Sequence, residues 1–454
     1  MSIASTNPAT GELLKTFNTL SADEINEVAG LAAEAQKLWA LQPIEARAEP
    51  MLRAARLLQT RAEEFARLMA LEMGKPLREG VAEVLKCATA CEFYAEHAAR
   101  FLTPREEATD AARSYVRYDP LGVILAVMPW NFPFWQVFRF IAPQLMAGNG
   151  GLLKHASNVP QCALAIEALL REAGFPSHLF RTLLANSDQI PALIADARVA
   201  GVTLTGSESA GIAVATAAGH ALKPVVLELG GSDPFIVLKD ADLQKAAATG
   251  AASRTLNAGQ SCIGAKRFIV AAEVHDRFLA ALVLAMEKIS AGDPSDPETG
   301  MGPLARLDLR EEVHAQVATA IAHGGRLELG GTLPEGPGAF YPPSVLSKIG
   351  RDNPIYHEEV FGPVAMVFRA ENEAQALEAA NDSRFGLGAS LWTTDRDAAQ
   401  KWIPRLEAGA VFINGMVKSD PRLPFGGIKS SGIGRELGAE GIRAFMNVKT
   451  VWIG

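Results

Sequence analysis

The sequence predicts an α/β protein with two doubly wound lobes, each built on a parallel sheet, and a smaller β unit beside them. Three observations carry this prediction. A chain of 454 residues is too long for one compact core. Short apolar strands alternate with helical segments over residues 150–240, and the alternation recurs over 232–415. Such alternation is typical of parallel strands joined by crossover helices.

The first hundred residues have mainly helical periodicity. Ser21 and Glu24 have the spacing of a capping box at the start of the first helix. Apolar residues then recur at three- and four-residue steps over 45–75 and stop at Gly74. Residues 113–129 hold an alternating stretch and then a continuous apolar run, which predicts an exposed strand followed by a buried one.

Strands and helices then follow each other through both lobes. The first lobe is predicted to contain strands at 151–155, 199–206 and 224–231, and helices at 158–174 and from Ser207. The second is predicted to contain strands at 233–240, 266–274, 361–370 and 408–414, with helices ending near 256 and 290. The tail, 440–454, ends in a β-rich segment that we expect to pair with another strand, and another subunit could supply it.

Composition excludes several classes of protein. Net charge is −8 and the isoelectric point is near 5.6, whereas a nucleic-acid binder usually has a basic excess. The longest apolar run, 121–130, is about half of what a membrane-spanning helix needs. The N-terminus lacks the pattern of a secretory signal. We therefore expect no nucleic-acid partner and no membrane association.

The four cysteines, at positions 87, 91, 162 and 262, have no disulfide framework spacing, which favours a reducing compartment and predicts the cytoplasm. Cys87 and Cys91 share one helix face near His97. A metal site is one interpretation, but no second pair of ligands accompanies them, so packing in the core is favoured and no metal is expected.

Three segments contain candidate catalytic residues. Cys262 lies among small residues and backbone N–H groups that could stabilise a thiolate, although a lone cysteine is more often inert. Asn131 stands between prolines in PWNFP, where a rigid amide could donate to an oxyanion or merely shape a turn. Glu228 ends an apolar strand before two glycines, as a general base or as a capping carboxylate.

Three further segments are candidates for binding. Residues 205–211 follow a strand and open a helix, where free N–H groups suit a phosphate and Ser207 could be only an N-cap. Glu359 could bind ribose hydroxyls, next to a plain surface charge at Glu358. The glycine-rich stretch 424–436 is typical of a loop packed near a site.

These motifs together resemble the aldehyde dehydrogenase superfamily along nearly the whole chain. The motifs in order are TNPATGEL, LEMGKP, PWNFP, ELGG, GQSC, EEVFGP and PFGGIKSSGIGRE. The carboxylate of ELGG and the cysteine of GQSC are 34 positions apart, as in the family. The resemblance implies a Rossmann-like cofactor lobe (1–108 and 127–231), a catalytic lobe (232–417) and an oligomerisation flap (109–126 and 418–454).

The resemblance also assigns roles to residues. Cys262 would attack an aldehyde to give a thiohemiacetal, Asn131 would hold the oxyanion, and Glu228 would activate water to release the acid from a thioester. The cofactor contacts that it implies are Trp130, Lys154, Ser157, Thr205, Gly206, Ser207, Gly211, Leu229, Glu359 and Phe361. A homodimer or homotetramer is expected.

Two departures from the family pattern bear on the cofactor. Ser157 occupies a position where the family often has a glutamate that grips the ribose 2′-hydroxyl, and a hydroxyl would not repel a 2′-phosphate. NADP is therefore predicted to be preferred over NAD, or both are used. His155 replaces the family's proline and could lie near the 2′-phosphate or be an exposed bystander.

The segment 134–140 gives a hint about the substrate. Arg139 matches an arginine that binds a distal carboxylate in succinate-semialdehyde dehydrogenases, Trp135 shares its helix face, and Ser419 matches a serine with the same role. A solvent-facing Arg139 is the alternative. Leu256 stands where many members have a second arginine, which weakens the carboxylate grip or changes the substrate.

The predicted function is therefore NAD(P)-dependent oxidation of succinic semialdehyde to succinate. A broader aldehyde dehydrogenase for medium-chain or aromatic aldehydes is the second interpretation. A cofactor-binding protein without catalysis is the third, and the presence of Cys262, Glu228 and Asn131 argues against it.

Overall fold

The computed structural model describes residues 2–454. Its strands are β1 (Ser2–Thr6), β2 (Leu13–Asn18), β3 (Arg105–Glu106), β4 (Arg113–Pro120), β5 (Val123–Met128), β6 (Gly150–His155), β7 (Phe180–Thr182), β8 (Val199–Thr205), β9 (Val225–Glu228), β10 (Pro234–Val237), β11 (Arg267–Ala271), β12 (Arg326–Leu329), β13 (Ser344–Ser347), β14 (Val364–Ala370), β15 (Phe385–Gly386), β16 (Gly388–Trp392), β17 (Ala410–Ile413), β18 (Ile428–Lys429), β19 (Gly432–Ile433) and β20 (Met446–Ile453). Its α-helices are α1 (Ala22–Ala40), α2 (Ile44–Thr60), α3 (Ala62–Met73), α4 (Leu77–Leu102), α5 (Trp135–Ala147), α6 (Pro160–Glu172), α7 (Ile190–Ala195), α8 (Glu208–His220), α9 (Leu243–Thr255), α10 (His275–Glu287), α11 (Leu307–Ala322), α12 (Glu373–Asn381), α13 (Arg396–Trp402) and α14 (Gly438–Arg443).

Two large sheets form the two lobes. The first has six strands in the order β19-β9-β8-β5-β6-β7, all parallel to their neighbours except β19. The second has seven strands in the order β12-β13-β14-β11-β10-β16-β17, all parallel to their neighbours except β12. The predicted pair of parallel-sheet lobes is confirmed.

A three-stranded antiparallel sheet in the order β20-β4-β3 forms the small β unit. The C-terminal strand pairs along β4 from Met446 opposite Pro120 to Ile453 opposite Arg113. The tail therefore has its partner within the same chain, and the suggestion that another subunit supplies it is wrong for this edge. Within 418–454 only β20 belongs to this sheet, since β18 pairs with β15 and β19 with β9. The domain boundaries stay a prediction.

Local signals placed several elements correctly. Ser21 and Glu24 cap α1 reciprocally, as the capping box predicts. The helical run 45–75 ends at Gly74, whose φ of 77° is the left-handed conformation that glycine favours at a helix end. Within this run the chain breaks at Arg61 into α2 and α3.

The apolar core contains side chains whose burial the sequence left open. Cys87 and Cys91 lie in the main apolar cluster with α2–α5, so the core-packing interpretation of these cysteines is confirmed. All 13 residues of α5 are buried. Among residues 2–454 no helix is long and apolar enough to cross a membrane.

Several elements of the second lobe were missed. Strands β12, β13 and β16 and helices α11–α13 lie in stretches where the sequence analysis predicted no element. The missed strands have only four or five residues, which is too short for a clear period. The first sheet directs the carboxyl ends of β5, β6, β8 and β9 to one edge, where an open α/β sheet binds its ligand.

Candidate active site

The loop of Cys262 is strained and fixed by its neighbours. Asn257, Ala258 and Gly259 all have positive φ, at 54°, 54° and 74°. A β-carbon on Gly259 would collide with the carbonyl of Gly362, so only glycine fits there. Non-glycine residues in this conformation persist only where surrounding structure imposes it, which is common at functional sites. The turn presents Cys262 to a cavity of about 340 Å³ between the two lobes.

The thiol of Cys262 is protonated at neutral pH. Burial raises the pKa of Cys262 to about 12, while the charges of Arg139 and Lys266 act in the opposite direction. Lys266 donates to the carbonyls of Ser261 and Cys262, at 2.8 and 2.9 Å, and so ties its charge to the loop. The thiol therefore needs a base to become a nucleophile.

Asn131 is buried and held against this loop. Its side-chain nitrogen donates to the carbonyl of Gln260 at 3.0 Å, which leaves its second N–H free for another acceptor. The backbone carbonyl of Asn131 accepts from the Asn257 side chain at 2.6 Å and from Lys75 at 2.9 Å. PWNFP is thus joined to the Cys262 loop by side chains from two other segments.

Glu228 is a buried carboxylate at the end of β9. It is 2% exposed, and neither of its oxygens has a hydrogen-bond partner among residues 2–454. Burial raises the pKa of Glu228 well above its ordinary value; Arg139 opposes the shift and Glu436 adds to it. A carboxylate with so little solvation has a high proton affinity and can act as a general base.

The glycines of two motifs let these segments approach each other. A β-carbon on Gly426 would lie 2.5 Å from Oε1 of Glu228, so the glycine-rich loop packs on the carboxylate. A β-carbon on Gly231 would lie 2.6 Å from the carbonyl of Cys262, and one on Gly230 would meet Glu359. The prediction that 424–436 packs near a site is confirmed.

Arg139 is buried rather than solvent-facing, so that alternative is wrong. Its guanidinium forms an ion pair with Glu436, donates to the hydroxyl of Thr205 at 3.1 Å and lies 4.7 Å from the ring centre of Phe425. Burial raises the pKa of Glu436 and the charge of Arg139 lowers it. The predicted contact residue Thr205 therefore has its side chain engaged by Arg139.

The predicted cofactor residues gather at the carboxyl edge of the first sheet. Ser207 caps α8 by accepting from the Ala210 N–H at 3.3 Å. A β-carbon on Gly206 would meet nothing nearer than Leu204 at 3.6 Å, so the turn before α8 is open. Gly211 permits close packing of α8, since a β-carbon there would lie 2.6 Å from Leu229.

Lys154 and Ser157 lie on β6, which β5 separates from β8, and in the turn that follows it. Lys154 is partly buried at the end of β6, and burial lowers its pKa. Ser157 is exposed in the turn before α6. An open helix N-terminus at the same sheet edge as a lysine and a hydroxyl suits the phosphates of a dinucleotide. These residues fit the expected cofactor.

His155 does not take part in this arrangement. Its ring is buried, with Nε2 at 2.9 Å from the carbonyl of Pro133 and Nδ1 accepting from the Ala156 N–H. Burial lowers the pKa of His155 to about 4, so it is neutral near pH 7. The interpretation of His155 as an exposed bystander is therefore wrong, and its neutral ring brings no charge to a 2′-phosphate.

Glu359, Trp130 and Phe361 are the remaining predicted cofactor contacts, and Glu359 lies against ELGG and the Cys262 loop. Glu359 accepts from the Gly231 N–H at 3.1 Å and lies 3.3 Å from the ammonium of Lys266. Trp130 and Phe361 meet edge to face with ring centres 5.9 Å apart. The structure thus brings ELGG, the Cys262 loop and EEVFGP to one place.

Trp135 and Ser419 share the cavity with Cys262. The indole nitrogen of Trp135 donates to the hydroxyl of Ser419 at 3.1 Å. Lys86, on α4, donates to the same hydroxyl at 2.7 Å and lies 4.2 Å from the Trp135 ring centre. The sequence analysis missed Lys86 and Glu83, which stand outside its motifs, and gave no role to Lys75 of LEMGKP or Glu436 of PFGGIKSSGIGRE.

Fold and site together define a dehydrogenase-type oxidoreductase. The carboxyl edge of its first sheet suits a dinucleotide, and a cysteine lines its cavity. The chain belongs to the aldehyde dehydrogenase family, whose model, described as "Aldehyde dehydrogenase family", matches residues 1–451. The resemblance drawn from the motifs is confirmed.

Relatives and solved structures agree along the full chain. A probable succinate-semialdehyde dehydrogenase [NADP(+)] from Synechocystis sp. is 53% identical over 453 residues, and succinate-semialdehyde dehydrogenase [NADP(+)] 1 of Mycobacterium tuberculosis is 51% identical over 458, each match covering 100% of both chains. The crystal structure of succinic semialdehyde dehydrogenase from Streptococcus pyogenes in complex with NADP+ has a TM-score of 0.97, 39% identity and 99% coverage of both chains. The structure of Gox0499 has a TM-score of 0.99, 42% identity and 100% coverage of both.

Proposed function

We propose that this protein oxidises succinic semialdehyde to succinate with NADP as the preferred oxidant. The observation that carries the proposal is the cavity of about 340 Å³, in which Cys262 shares the walls with Arg139, Lys86 and Ser419. A thiol and a set of cationic and hydroxyl donors in one small cavity suit a short aldehyde with a carboxylate at its far end. The names of relatives at 51–53% identity support the same substrate.

The first step is attack of the Cys262 sulfur on the aldehyde carbon. The thiol proton passes to water in the cavity, and the resulting thiolate attacks. The new C–S bond places negative charge on the former carbonyl oxygen, and the free N–H of Asn131 and the backbone N–H of Cys262 hold it. No other hydrogen bond engages that backbone N–H within residues 2–454.

The thiohemiacetal is then oxidised. The chemistry that the nicotinamide supplies when bound is acceptance of a hydride, and loss of hydride from the thiohemiacetal carbon leaves a thioester on Cys262. The residues that would hold the dinucleotide are Trp130, Lys154, Ser157, Thr205, Gly206, Ser207, Gly211, Leu229, Glu359 and Phe361. Exposed Ser157 leaves room for a 2′-phosphate and brings no negative charge to it, which supports NADP.

Glu228 releases the product. Its carboxylate takes a proton from a water molecule, the resulting hydroxide adds to the thioester carbon, and the C–S bond breaks to give succinate and the Cys262 thiol. The raised pKa makes Glu228 basic enough for this step, and the absence of protein partners for its oxygens within the described residues leaves them available to water.

Trp135, Arg139 and Ser419 are the proposed substrate contacts. Trp135 contributes an apolar wall, Ser419 a hydroxyl, and Arg139 a positive charge that Glu436 partly neutralises. A broader aldehyde specificity would need only the apolar walls.

Initial rates with NADP and NAD, followed by absorbance at 340 nm, test the proposal. We expect kcat/KM for succinic semialdehyde with NADP to exceed that for butanal, which has the same chain length without the carboxylate, by at least tenfold. Equal values for the two aldehydes would refute the substrate assignment, and absence of any aldehyde-dependent signal would refute the enzymatic one.

We also propose a homodimer or homotetramer in the cytoplasm. The three-stranded sheet supports the assembly, because β20 exposes Val448 and Trp452 along an edge that no strand of residues 2–454 covers. Light scattering coupled to size exclusion measures the mass, and a monomer would contradict this proposal.

A further inference from the structure

Lys86 and Ser419 have unused hydrogen-bond donors in the cavity. The Ser419 oxygen already accepts from Lys86 at 2.7 Å and from Trp135 at 3.1 Å. Because a hydroxyl oxygen has two lone pairs, both are used, and its hydrogen remains for a third partner. The ammonium of Lys86 has three hydrogens, and within residues 2–454 only Ser419 receives one. Two N–H groups of Lys86 and the O–H of Ser419 therefore have no acceptor within residues 2–454 at this point in the cavity wall.

The charge of Lys86 has no counterion. No carboxylate of residues 2–454 lies within 4.0 Å of its ammonium, although its side chain is only partly exposed. The groups whose charges act on it are Glu83 and Cys87 on its own helix, Arg139 on α5 and Asp420 in the loop after Ser419. Other charged residues line the same cavity without an ion pair to Lys86, namely Arg78, Glu79 and Lys418.

Each group whose charge acts on Lys86 is neutral or already paired. Glu83 pairs with Lys75, and Asp420 pairs with Arg422. Burial raises the pKa of Cys87, which keeps its thiol neutral, and the charge of Arg139 is met by Glu436. A partly buried cation without a partner is costly, so the site favours an anion from outside.

Leu256 lines the same cavity at the position where many family members have a second arginine. Lys86, on α4 of the other lobe, places a different cation, its ammonium group, in the same cavity. We propose that Lys86, together with the hydroxyl of Ser419, binds the distal carboxylate of the substrate and is the main determinant of preference for carboxylated short aldehydes. This inference rests on the proposed function, because it names the groups that recognise that substrate.

The test compares Lys86→Met and Lys86→Arg with the unchanged protein, on succinic semialdehyde and on butanal. Loss of a charge-assisted contact predicts an increase of about 10- to 100-fold in KM for succinic semialdehyde with Lys86→Met. We expect kcat to stay within about threefold and butanal kinetics within about twofold. Lys86→Arg, which keeps the charge, should restore most of the affinity.

A matched control removes a charge from an exposed neighbour of Ser419. Lys418 lines the same cavity but has an exposed side chain, so solvent screens its charge, and we expect Lys418→Met to change KM for succinic semialdehyde by less than about threefold. A change as large as that of Lys86→Met would show a general field effect and overturn the assignment. Circular dichroism melting checks that each variant is folded, and Lys86→Gln replaces Lys86→Met if it is not.

A pH profile distinguishes the lysine from the arginine. Burial and the charge of Arg139 lower the pKa of Lys86 to about 8. Lys86 therefore loses its proton as pH rises through about 8, and KM for succinic semialdehyde should rise between pH 7 and 9.5. Butanal should show no such rise, nor should Lys86→Arg with succinic semialdehyde.

Two outcomes separate the failure of this inference from failure of the proposed function. If the unchanged protein prefers succinic semialdehyde but Lys86→Met keeps its KM within twofold, the inference is wrong and the function stands. If the unchanged protein does not distinguish the two aldehydes, the proposed function fails and takes the inference with it.

Discussion

The ion pair between Lys75 and Glu83 supports the oxyanion side of the site. Lys75 is 0% and Glu83 2% exposed at their side chains, and they pair directly. Lys75 also donates to the carbonyl of Asn131 and lies 3.8 Å from the ring centre of Phe132. Oε1 of Glu83 accepts from the N–H groups of Phe134 and Trp135, each at 2.9 Å, at the start of α5.

Lys75→Met would leave the charge of Glu83 buried without its cation. Breaking a buried pair by removing one partner costs about 3–5 kcal/mol. Because Glu83 keeps its hydrogen bonds from two backbone N–H groups, we expect the free energy of unfolding to fall by the lower end of this range, about 3 kcal/mol. We also expect kcat to fall about tenfold, less than the 100-fold or more typical of losing an oxyanion donor, because Asn257 still holds the carbonyl of Asn131 at 2.6 Å.

The double variant Lys75→Met/Glu83→Gln is the control for this reasoning. The glutamine keeps Oε1 for both N–H groups of α5 and removes the buried charge. We therefore expect the double variant to be more stable than Lys75→Met alone, as neutralised buried pairs often are. Urea unfolding at one fixed protein concentration gives the order of stability, and steady-state rates give kcat.

Two results would refute this account of Lys75. One is a Lys75→Met variant as stable as the unchanged protein. The other is a double variant that is no more stable than the single one, since the cost would then come from lost packing rather than from an unpaired charge.

Three other changes test separate parts of the site. Ser157→Glu should shift the NADP/NAD ratio of kcat/KM about 100-fold toward NAD, since a carboxylate repels a 2′-phosphate and can accept a bond from a 2′-hydroxyl; an unchanged ratio would show that Ser157 is not the determinant. Gly426→Ala should lower kcat at least tenfold, because the new β-carbon would lie 2.5 Å from Oε1 of Glu228 at a φ of 149°; wild-type kcat would show that the carboxylate is free to move. Inactivation by peroxide should accelerate about tenfold per pH unit from pH 7 to 10, because the pKa of Cys262 is raised to about 12 and only the thiolate reacts; a rate that levels off below pH 9 would contradict this.

Motif order in the sequence predicted the centre of the site but not its supports. Cys262, Glu228 and Asn131 stand in short motifs, and the family resemblance of those motifs, rather than the residues alone, selected them as candidates. Lys86 and Ser419 are 333 positions apart, and their contact depends on how α4 packs against the loop between β17 and β18. Periodicity along the chain carries no information about such a long-range contact, which is why Lys86 was missed.

Environment was harder to predict than position. The sequence placed Arg139 on a helix face with Trp135, and the structure has both buried in α5. It did not reveal that Glu436 pairs with Arg139, since this contact joins α5 to the glycine-rich loop. The burial of His155 was missed for the same reason, because only the folded chain brings its ring to the carbonyl of Pro133.

The central claim is that Cys262 carries the acyl group and that Glu228 is needed to release it. Glu228→Gln mixed with succinic semialdehyde and NADP, then analysed by intact-protein and peptide mass spectrometry, tests it most directly. The account predicts a burst of one NADPH per active site, little further turnover, and one succinyl group on the peptide that contains Cys262. Sustained turnover, or a succinyl group absent from that peptide, would contradict it.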